Sequence, residues 1–388
     1  MDMLTRIQPK QADRPCPDPD FLPGDSLFAS REGVFHGRGC LLHTEPLGDI
    51  SRQATSLLAQ AADTQAAPVL LGLLPYDPAQ PAQLRIPRTI HCPHPPTQAS
   101  SATPPARVLQ AREYPSRTQY EQGVRDALRR LDQESALRKL VLSRTLQLRL
   151  AQDIDLHTVI QRLWQRNPHG YTYAMPLGDD QHYFIGASPE LLIQRHGRRI
   201  TVHPLAGTAA RHADPQADAD SAQALLDSPK DLHEHAIVVE AIDTILRPLC
   251  RHLNIPARPS LTSTTRLWHL GTPIQGELAD PGITALDLAI ALHPTPAVCG
   301  LPTADARRAI ADIEPFERGY FAGAVGWCNA QGDGVWSVAI RCVQSAGRDL
   351  TLYAGAGIVP GSVPEQERIE TGNKLRTILD ALGIEFTP

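Results

Sequence analysis

Residues 322–359 read AGAVGWCNAQGDGVWSVAIRCVQSAGRDLTLYAGAGIV. Runs rich in Val, Ile, Trp, Leu and Tyr alternate with Gly-containing turns, which gives three strand candidates in succession. Strands joined by turns this short pair antiparallel, because a parallel partner needs a crossover of about a dozen residues or more. The same signal recurs upstream. In KLVLSRTLQLRL (139–150), Leu140, Leu142, Leu146, Leu148 and Leu150 fall on one face and Lys139, Val141, Ser143 and Thr145 on the other. HYFIGASPELLIQRHGRRITVHPLAG (182–207) reads as strands joined by Ser-Pro and Gly turns. Helical spacing appears in SAQALLDSPKDLHEHAIVVEAIDTILRPLC (221–250), broken in two at Asp227, Ser228 and Pro229. PEQERIETGNKLRTILDAL (364–382) is a closing helix with proline at its start and acids in its first turn. Grouped hairpins with helices between them predict an α+β fold, not a parallel βαβ array.

The chain of 388 residues can bury a large core, as one big domain or two smaller ones. Its net charge of −5 gives no electrostatic case for nucleic acid or an anionic membrane as partner. No run approaches the roughly 20 apolar residues of a membrane helix, and MDMLTRIQPKQADRPCPDPD lacks the apolar core of a signal peptide, so a cytoplasmic protein is expected. Seven cysteines, odd in number and without a Cys-x-x-Cys pair, read as free thiols. HCPH (91–94) lacks the second ligand pair of a zinc site. Residues 1–20 are polar and proline-rich, as in a loose arm, and 92–115 read as a Pro-rich loop. No fixed-period repeat occurs, which argues against solenoids and propellers.

On the closing helix Glu367, Glu370 and Lys374 are spaced i, i+3, i+7 and share one face. Alone, that is a solvated surface with a Glu370–Lys374 pair. A second acidic helix changes the weighting, because Asp231 and Glu234 are also i, i+3. Two such stripes can converge on one hard cation, and oxygen-only ligands with room for water favour Mg²⁺ over zinc. His233 and His235 are two residues apart and diverge on a helix, so a His-Glu-x-x-His zinc site is excluded. Lys139 is either a solubilising strand lysine or, in a cleft, a base. Glu190 follows a proline at a turn and reads first as an exposed carboxylate. Arg341 ends a strand, where a guanidinium pairs with a buried carboxylate or grips an anionic ligand. His269, taken alone, reads first as a satisfied core histidine. AGAGIV and HPLAGTAAR lack nucleotide-binding spacing but allow close backbone approach to a small anion. These residues alone indicate an α+β, Mg²⁺-dependent enzyme acting on a small anionic substrate.

Taken in order, KLVLSR, FIGASPELL, PLAGTAAR, KDLHEHAIVVE, LWHLGTPIQGEL, ALHPTPAVCGLP, ERGYFAGAVGW, VAIRC and AGAGIVPGSVPEQERIETGNK resemble the motifs of the chorismate-utilising enzymes. That family holds isochorismate synthases, salicylate synthases and the large chains of anthranilate and aminodeoxychorismate synthases. The resemblance spans about 115–380 and implies an α/β fold of large antiparallel sheets with outer helices and a central Mg²⁺-dependent cleft. It implies a single domain over 21–388, comprising a strand-rich portion (about 21–92), the Pro-rich loop (about 92–115) and the motif-bearing region (about 116–388). Glu234 and Glu370 match the glutamates that hold Mg²⁺, with Asp231 and Glu367 as acids behind them and Lys374 beside the metal-bound carboxylate. The ring carboxylate of chorismate would meet the metal, Gly207 and Thr208; the enolpyruvyl carboxylate would meet Arg341 and the Gly355 backbone. Gly357 would likewise let the backbone approach. Lys139 is implied as the base that deprotonates water and Glu190 as the acid that protonates the departing hydroxyl, which requires a neutral lysine and a protonated glutamate in one site. His269 would hydrogen-bond the substrate.

Lys139 at the base position favours water over ammonia as nucleophile, so no glutaminase subunit is expected. Ala297 stands where salicylate and anthranilate synthases usually carry threonine, and Phe321 replaces a tyrosine common in salicylate synthases. The resemblance therefore points to the isochorismate synthase branch, a monomer interconverting chorismate and isochorismate. The chain length resembles siderophore-pathway members more than menaquinone-pathway ones. The alternatives are a salicylate synthase, which also eliminates pyruvate, and a non-catalytic chorismate-binding paralogue.

Overall fold

The computed structural model describes residues 21–91, 106–178 and 181–386. The arm expected over 1–20, most of the Pro-rich loop and the HCPH stretch beyond His91 lie outside these residues. Two large sheets dominate, and their strands pair antiparallel. The first, of ten strands, runs Gly300–Leu301, Lys139–Leu150, Asp349–Ile358, Cys342–Ala346, His182–Ser188, Tyr171–Pro176, Ser26–Ala29, Val34–Arg38 and Thr89–His91, with Val108–Tyr114 also paired to Lys139–Leu150. The second, of nine, runs Cys250–Asn254, Ile274–Leu278, Arg199–His203, Leu191–His196, Gly334–Val338, Ala324–Asn329, Val69–Leu74, Gln83–Ile86 and Leu42–Thr44. A three-stranded sheet orders Leu205–Ala210, Leu267–Gly271 and Ser260–Ser263.

The opening segment holds four strands where three were expected. WSVAIRC is not one strand: Gly334–Val338 belongs to the second sheet and Cys342–Ala346 to the first. The chain changes sheets across Ala339–Arg341, and Arg341 takes a left-handed φ of 53° there, which ends the extended run. It makes a second such passage at Pro189–Glu190, between His182–Ser188 and Leu191–His196. The two passages are bonded to each other. Ala187 N donates to Arg341 O (3.0 Å), and Val338 N donates to Glu190 O (3.2 Å).

Val108–Tyr114, assigned by composition to the Pro-rich loop, is a strand instead. No proline falls between Pro105 and Pro115, so every backbone donor of that stretch can join the ladder. The alternation of Lys139–Leu150 is also only partial: every residue from Lys139 to Leu146 is buried, and Gln147 and Arg149 alone face out. Leu140 and Leu142 enter one hydrophobic core with Trp336 and Leu286, while Leu146, Leu148 and Leu150 enter another with Ile378 and Leu379. The helix break falls where expected. Ser228 separates Pro215–Asp227 from Pro229–Leu246, and its Oγ accepts from Asp231 N at 3.2 Å as an N-cap. No described helix is long and apolar enough to cross a membrane.

A buried ion pair ties the loops behind these strands. Arg318 donates Nε and Nη2 to the Glu314 carboxylate (2.8 and 2.6 Å), Nη1 to Val298 O and Nη2 to Val141 O (each 2.7 Å). Glu314 Oε1 also accepts from Ser143 N at 2.7 Å. Removing one partner of a buried pair strands the other charge, so Glu314→Gln is expected to destabilise the fold by about 3–5 kcal/mol. Urea denaturation measures it, and a loss below about 1 kcal/mol would mean the pair is solvated in solution.

Candidate active site

Beside the two sheet passages lies a cleft with about 670 Å³ of space, part of it open to solvent. It is lined by Glu190, Gly207, Thr208, Glu234, His269, Ala297, Arg341, Gly355, Glu370 and Lys374, all singled out from sequence. Lys139, Asp231 and Glu367 stand behind the lining. Gly357 and Phe321 contribute to the wall, Phe321 stacked on Tyr353 with ring centroids 5.1 Å apart.

Arg341 is buried and forms no ion pair among the described residues. Burial lowers its pKa to about 10, against the pull of Glu370 and Glu190, so it stays charged at neutral pH. Its one side-chain partner among the described residues is His269, whose Nε2 lies 3.5 Å from Nη2. A guanidinium can only donate, so Nε2 must be the acceptor and the imidazole is neutral with its proton on Nδ1. Nδ1 then faces Thr208 Oγ1 at 3.3 Å. Burial first, then Arg341 and Lys374, push the His269 pKa well down, in keeping with that tautomer. The result is an uncompensated cation aimed into a small polar cleft, which calls for an anionic ligand.

Glu190 sits on the same wall, and its backbone N donates to Ser188 Oγ at 3.2 Å. Burial raises its carboxyl to about 7; Leu205 N, 3.4 Å from Oε1, and the charges of Lys139, Arg341 and Lys374 limit the rise. At neutral pH this group can both give and take a proton.

The other wall is built by the two acidic helices, where three lysines meet four carboxylates. Lys139, fully buried, places Nζ 3.0 Å from Glu234 Oε1. The contact is close but not aligned as a hydrogen bond, so its attraction is Coulombic. Burial pushes Glu234 up, but Lys139, Lys230 and Lys374 outweigh it and hold the carboxyl below its ordinary value. Lys374 lies 2.6 Å from Glu370 Oε1 and donates to Gly355 O at 2.8 Å. Lys230 reaches across from Pro229–Leu246 to Glu367 Oε1 at 2.5 Å. Asp231 takes a 2.5 Å hydrogen bond from Ser228 Oγ. Gly357 makes the packing possible: a Cβ there would stand 2.0 Å from Glu234 Oε1. Gly207, at φ 80°, presents its backbone beside Asp231 in a conformation that side chains disfavour.

Sequence reading passed over Lys230, although it lies in KDLHEHAIVVE, and over Arg318, which lies in ERGYFAGAVGW. Each resembles a surface residue in one dimension. His235 is buried and bonded to Thr272 Oγ1 (2.7 Å) while His233 is exposed, so the two histidines do diverge.

No three described Asp, Glu, His or Cys side chains converge into a metal cage. Zinc is therefore poorly served. Mg²⁺ is different, since it binds through one or two carboxylates and fills its remaining positions with water and substrate oxygens. Glu234 and Glu370, all-oxygen donors on the cleft wall with Glu234 seated against a bare glycine backbone, fit that requirement.

Residues 82–383 match the family model of chorismate binding enzymes. The chain is 42% identical over 380 residues to the isochorismate synthase DhbC of Bacillus subtilis, covering 94% of this chain and 95% of that protein. It is 44% identical to the vibriobactin-specific isochorismate synthase of Vibrio cholerae over 342 residues, 88% of this chain and 86% of the other. The crystal structure of DhbC from Bacillus anthracis, described as a 2,3-dihydroxybenzoate-specific isochorismate synthase, superposes with a TM-score of 0.89 at 39% identity, over 94% of this chain and 98% of that one. With a buried cation, a proton-exchanging glutamate and an acidic pair converging on one cleft, and with these matches across nearly its whole length, the chain belongs to the chorismate-binding enzyme family.

Proposed function

We propose that the protein is an isochorismate synthase, an isomerase that interconverts chorismate and isochorismate with Mg²⁺ as cofactor. One observation carries the reading: a buried guanidinium with no carboxylate partner among the described residues shares a cleft with a buried carboxyl poised near neutrality. A substrate with two carboxylates and a hydroxyl leaving group uses both. The names of the relatives support the branch, and the vibriobactin-specific one supports a siderophore-pathway role.

In this reading Arg341, oriented by His269, binds the enolpyruvyl carboxylate together with the Gly355 backbone. Gly207 and Thr208 meet the ring carboxylate. Glu234 and Glu370 would hold Mg²⁺, with Asp231 and Glu367 behind them and Lys374 beside Glu370; the ion would neutralise and orient the ring carboxylate. Lys139 takes a proton from water as its oxygen bonds to C2, the ring double bonds shift, and Glu190 gives a proton to the hydroxyl leaving C4. One proton is taken and one given, so the reaction is a net isomerisation. Ala297 and Phe321 supply no hydroxyl beside the ring or to the carboxylate clamp, which disfavours the ordered side-chain conformation that pyruvate elimination needs. We read the protein as acting without a glutaminase subunit, as a monomer.

The product mixture tests the assignment. Purified protein with chorismate and Mg²⁺ is expected to approach the same chorismate–isochorismate ratio from either side, with little salicylate, and with no anthranilate when ammonia is added. Mass spectrometry showing salicylate and pyruvate as main products would establish a salicylate synthase, and no turnover would establish a binding paralogue. Excess chelator is expected to abolish turnover, and full activity in its presence would remove the metal from the mechanism.

Lys139→Ala and Glu190→Gln are each expected to lower kcat by at least about a hundredfold. Weaker binding with kcat unchanged would make them positioning groups only. The pH dependence follows from Glu190, whose carboxyl burial raises to about 7. It gives a proton in the forward direction and takes one in the reverse, so kcat/KM should change with an inflection near pH 7 and by the same factor in both directions. A profile flat through that pH would contradict the role given to Glu190.

A further inference from the structure

We infer that Lys230 is a positioning residue that sets how many carboxylates the metal site offers. The inference rests on the Mg²⁺ part of the function proposed above. Lys230 lies in the first turn of Pro229–Leu246, the helix of Asp231 and Glu234; Glu367 lies in the first turn of Pro364–Leu382, the helix of Glu370. Their 2.5 Å contact links the two acidic helices, which share no extended packing face. Glu367 is itself buried at 1% exposure, so this ammonium, with a hydrogen bond from Ser362, compensates a third glutamate beside the cleft.

The pair has a chemical consequence. Glu367 is one helical turn from Glu370, close enough for their charges to interact. Left free, it could swing towards a cation held by Glu234 and Glu370. Held by Lys230, it cannot, and the protein's direct carboxylate ligands stay at two. A cation with two protein carboxylates keeps open positions for water and for a substrate carboxylate; a third would neutralise the ion and take one of those positions. Lys230 therefore trades metal affinity for substrate access and biases the site towards a small ion. Ca²⁺, which takes 6–8 oxygens in flexible geometry, gains more from a third carboxylate than Mg²⁺ does.

Calorimetric titration of the whole protein with MgCl₂ and separately with CaCl₂, without chorismate, tests this. In Lys230→Met, Mg²⁺ is expected to bind about fivefold or more tightly, Ca²⁺ to gain by a larger factor, and the KM for chorismate to rise. Lys230→Arg, which keeps the charge and the reach, is expected to restore wild-type values, and thermal denaturation of both variants checks that each is folded. If Lys230→Met binds both ions as the wild type does, or binds both more weakly by the same factor, the residue merely staples the helices and the inference is overturned. Should Lys230→Met fail to fold, Glu367→Gln reads the same question: with the third carboxylate already withheld by Lys230, it is expected to leave Mg²⁺ affinity within about twofold of wild type, and a loss of about tenfold would overturn the inference by making Glu367 a ligand. A wild-type protein that binds neither ion overturns the magnesium reading itself, and this inference with it.

Discussion

The site depends on two backbone segments passing from one sheet to the other at the same place and bonding to each other there. The Ala187–Arg341 and Val338–Glu190 hydrogen bonds lock Pro189–Glu190 against Ala339–Arg341. A strand that changes sheets cannot complete a ladder on both sides, so the sheets part and leave a concave opening beside the passage. The residues at the crossing are the ones whose side chains project into that opening. An acid and a cation that must face one small molecule are thus placed by main-chain hydrogen bonding, the stiffest device the fold has. The left-handed φ of Arg341 is the local cost of the geometry.

Charge is distributed around the cleft by a different rule. On the acidic wall each of Glu234, Glu367 and Glu370 has its own lysine, at 3.0, 2.5 and 2.6 Å. On the other wall Arg341 forms no ion pair among the described residues. The acidic wall is therefore largely compensated, while Arg341 leaves the opposite wall positive, the Glu190 carboxyl there being only partly ionised near neutrality. Glu190, between these influences, is governed mainly by burial, which is why its proton is loosely held at neutrality.

Much of this was legible in one dimension. Alternation and Gly-containing turns showed antiparallel strands, and the spacing of Glu367, Glu370 and Lys374 put them on one face, as the closing helix does. The motif order pointed to the family that the matches establish. What was hidden was anything that depends on a chain changing partners. WSVAIRCVQSA has the composition of one strand, and only the dihedral at Arg341 separates it into two in different sheets. Lys139 looked like the polar face of an amphipathic strand, yet that face is buried, with Lys139 against Glu234 and Thr145 against Tyr114 O. Glu314 and Arg318, at i, i+4, have the spacing of an ordinary surface pair, and nothing local reveals that Arg318 also donates to the carbonyls of Val141 and Val298 or that Glu314 accepts from Ser143 N. Composition also extended the Pro-rich loop too far, since it averages over the proline-free stretch that becomes a strand.

The strand Lys139–Leu150 carries a further implication through its division between two hydrophobic cores. Its first half is packed with Trp336 and Leu286, its second with Ile378 and Leu379, and the catalytic candidate Lys139 stands at one end. Neither core can open without pulling the same ten-residue register away from Asp349–Ile358, which carries Gly355 and Gly357. Fluctuations that would loosen one core are thus communicated to the other as loss of shared backbone pairing, and the two behave as a single cooperative unit. Amide protons along this ladder are therefore expected to exchange slowly, because opening either core disturbs pairing that the other also needs.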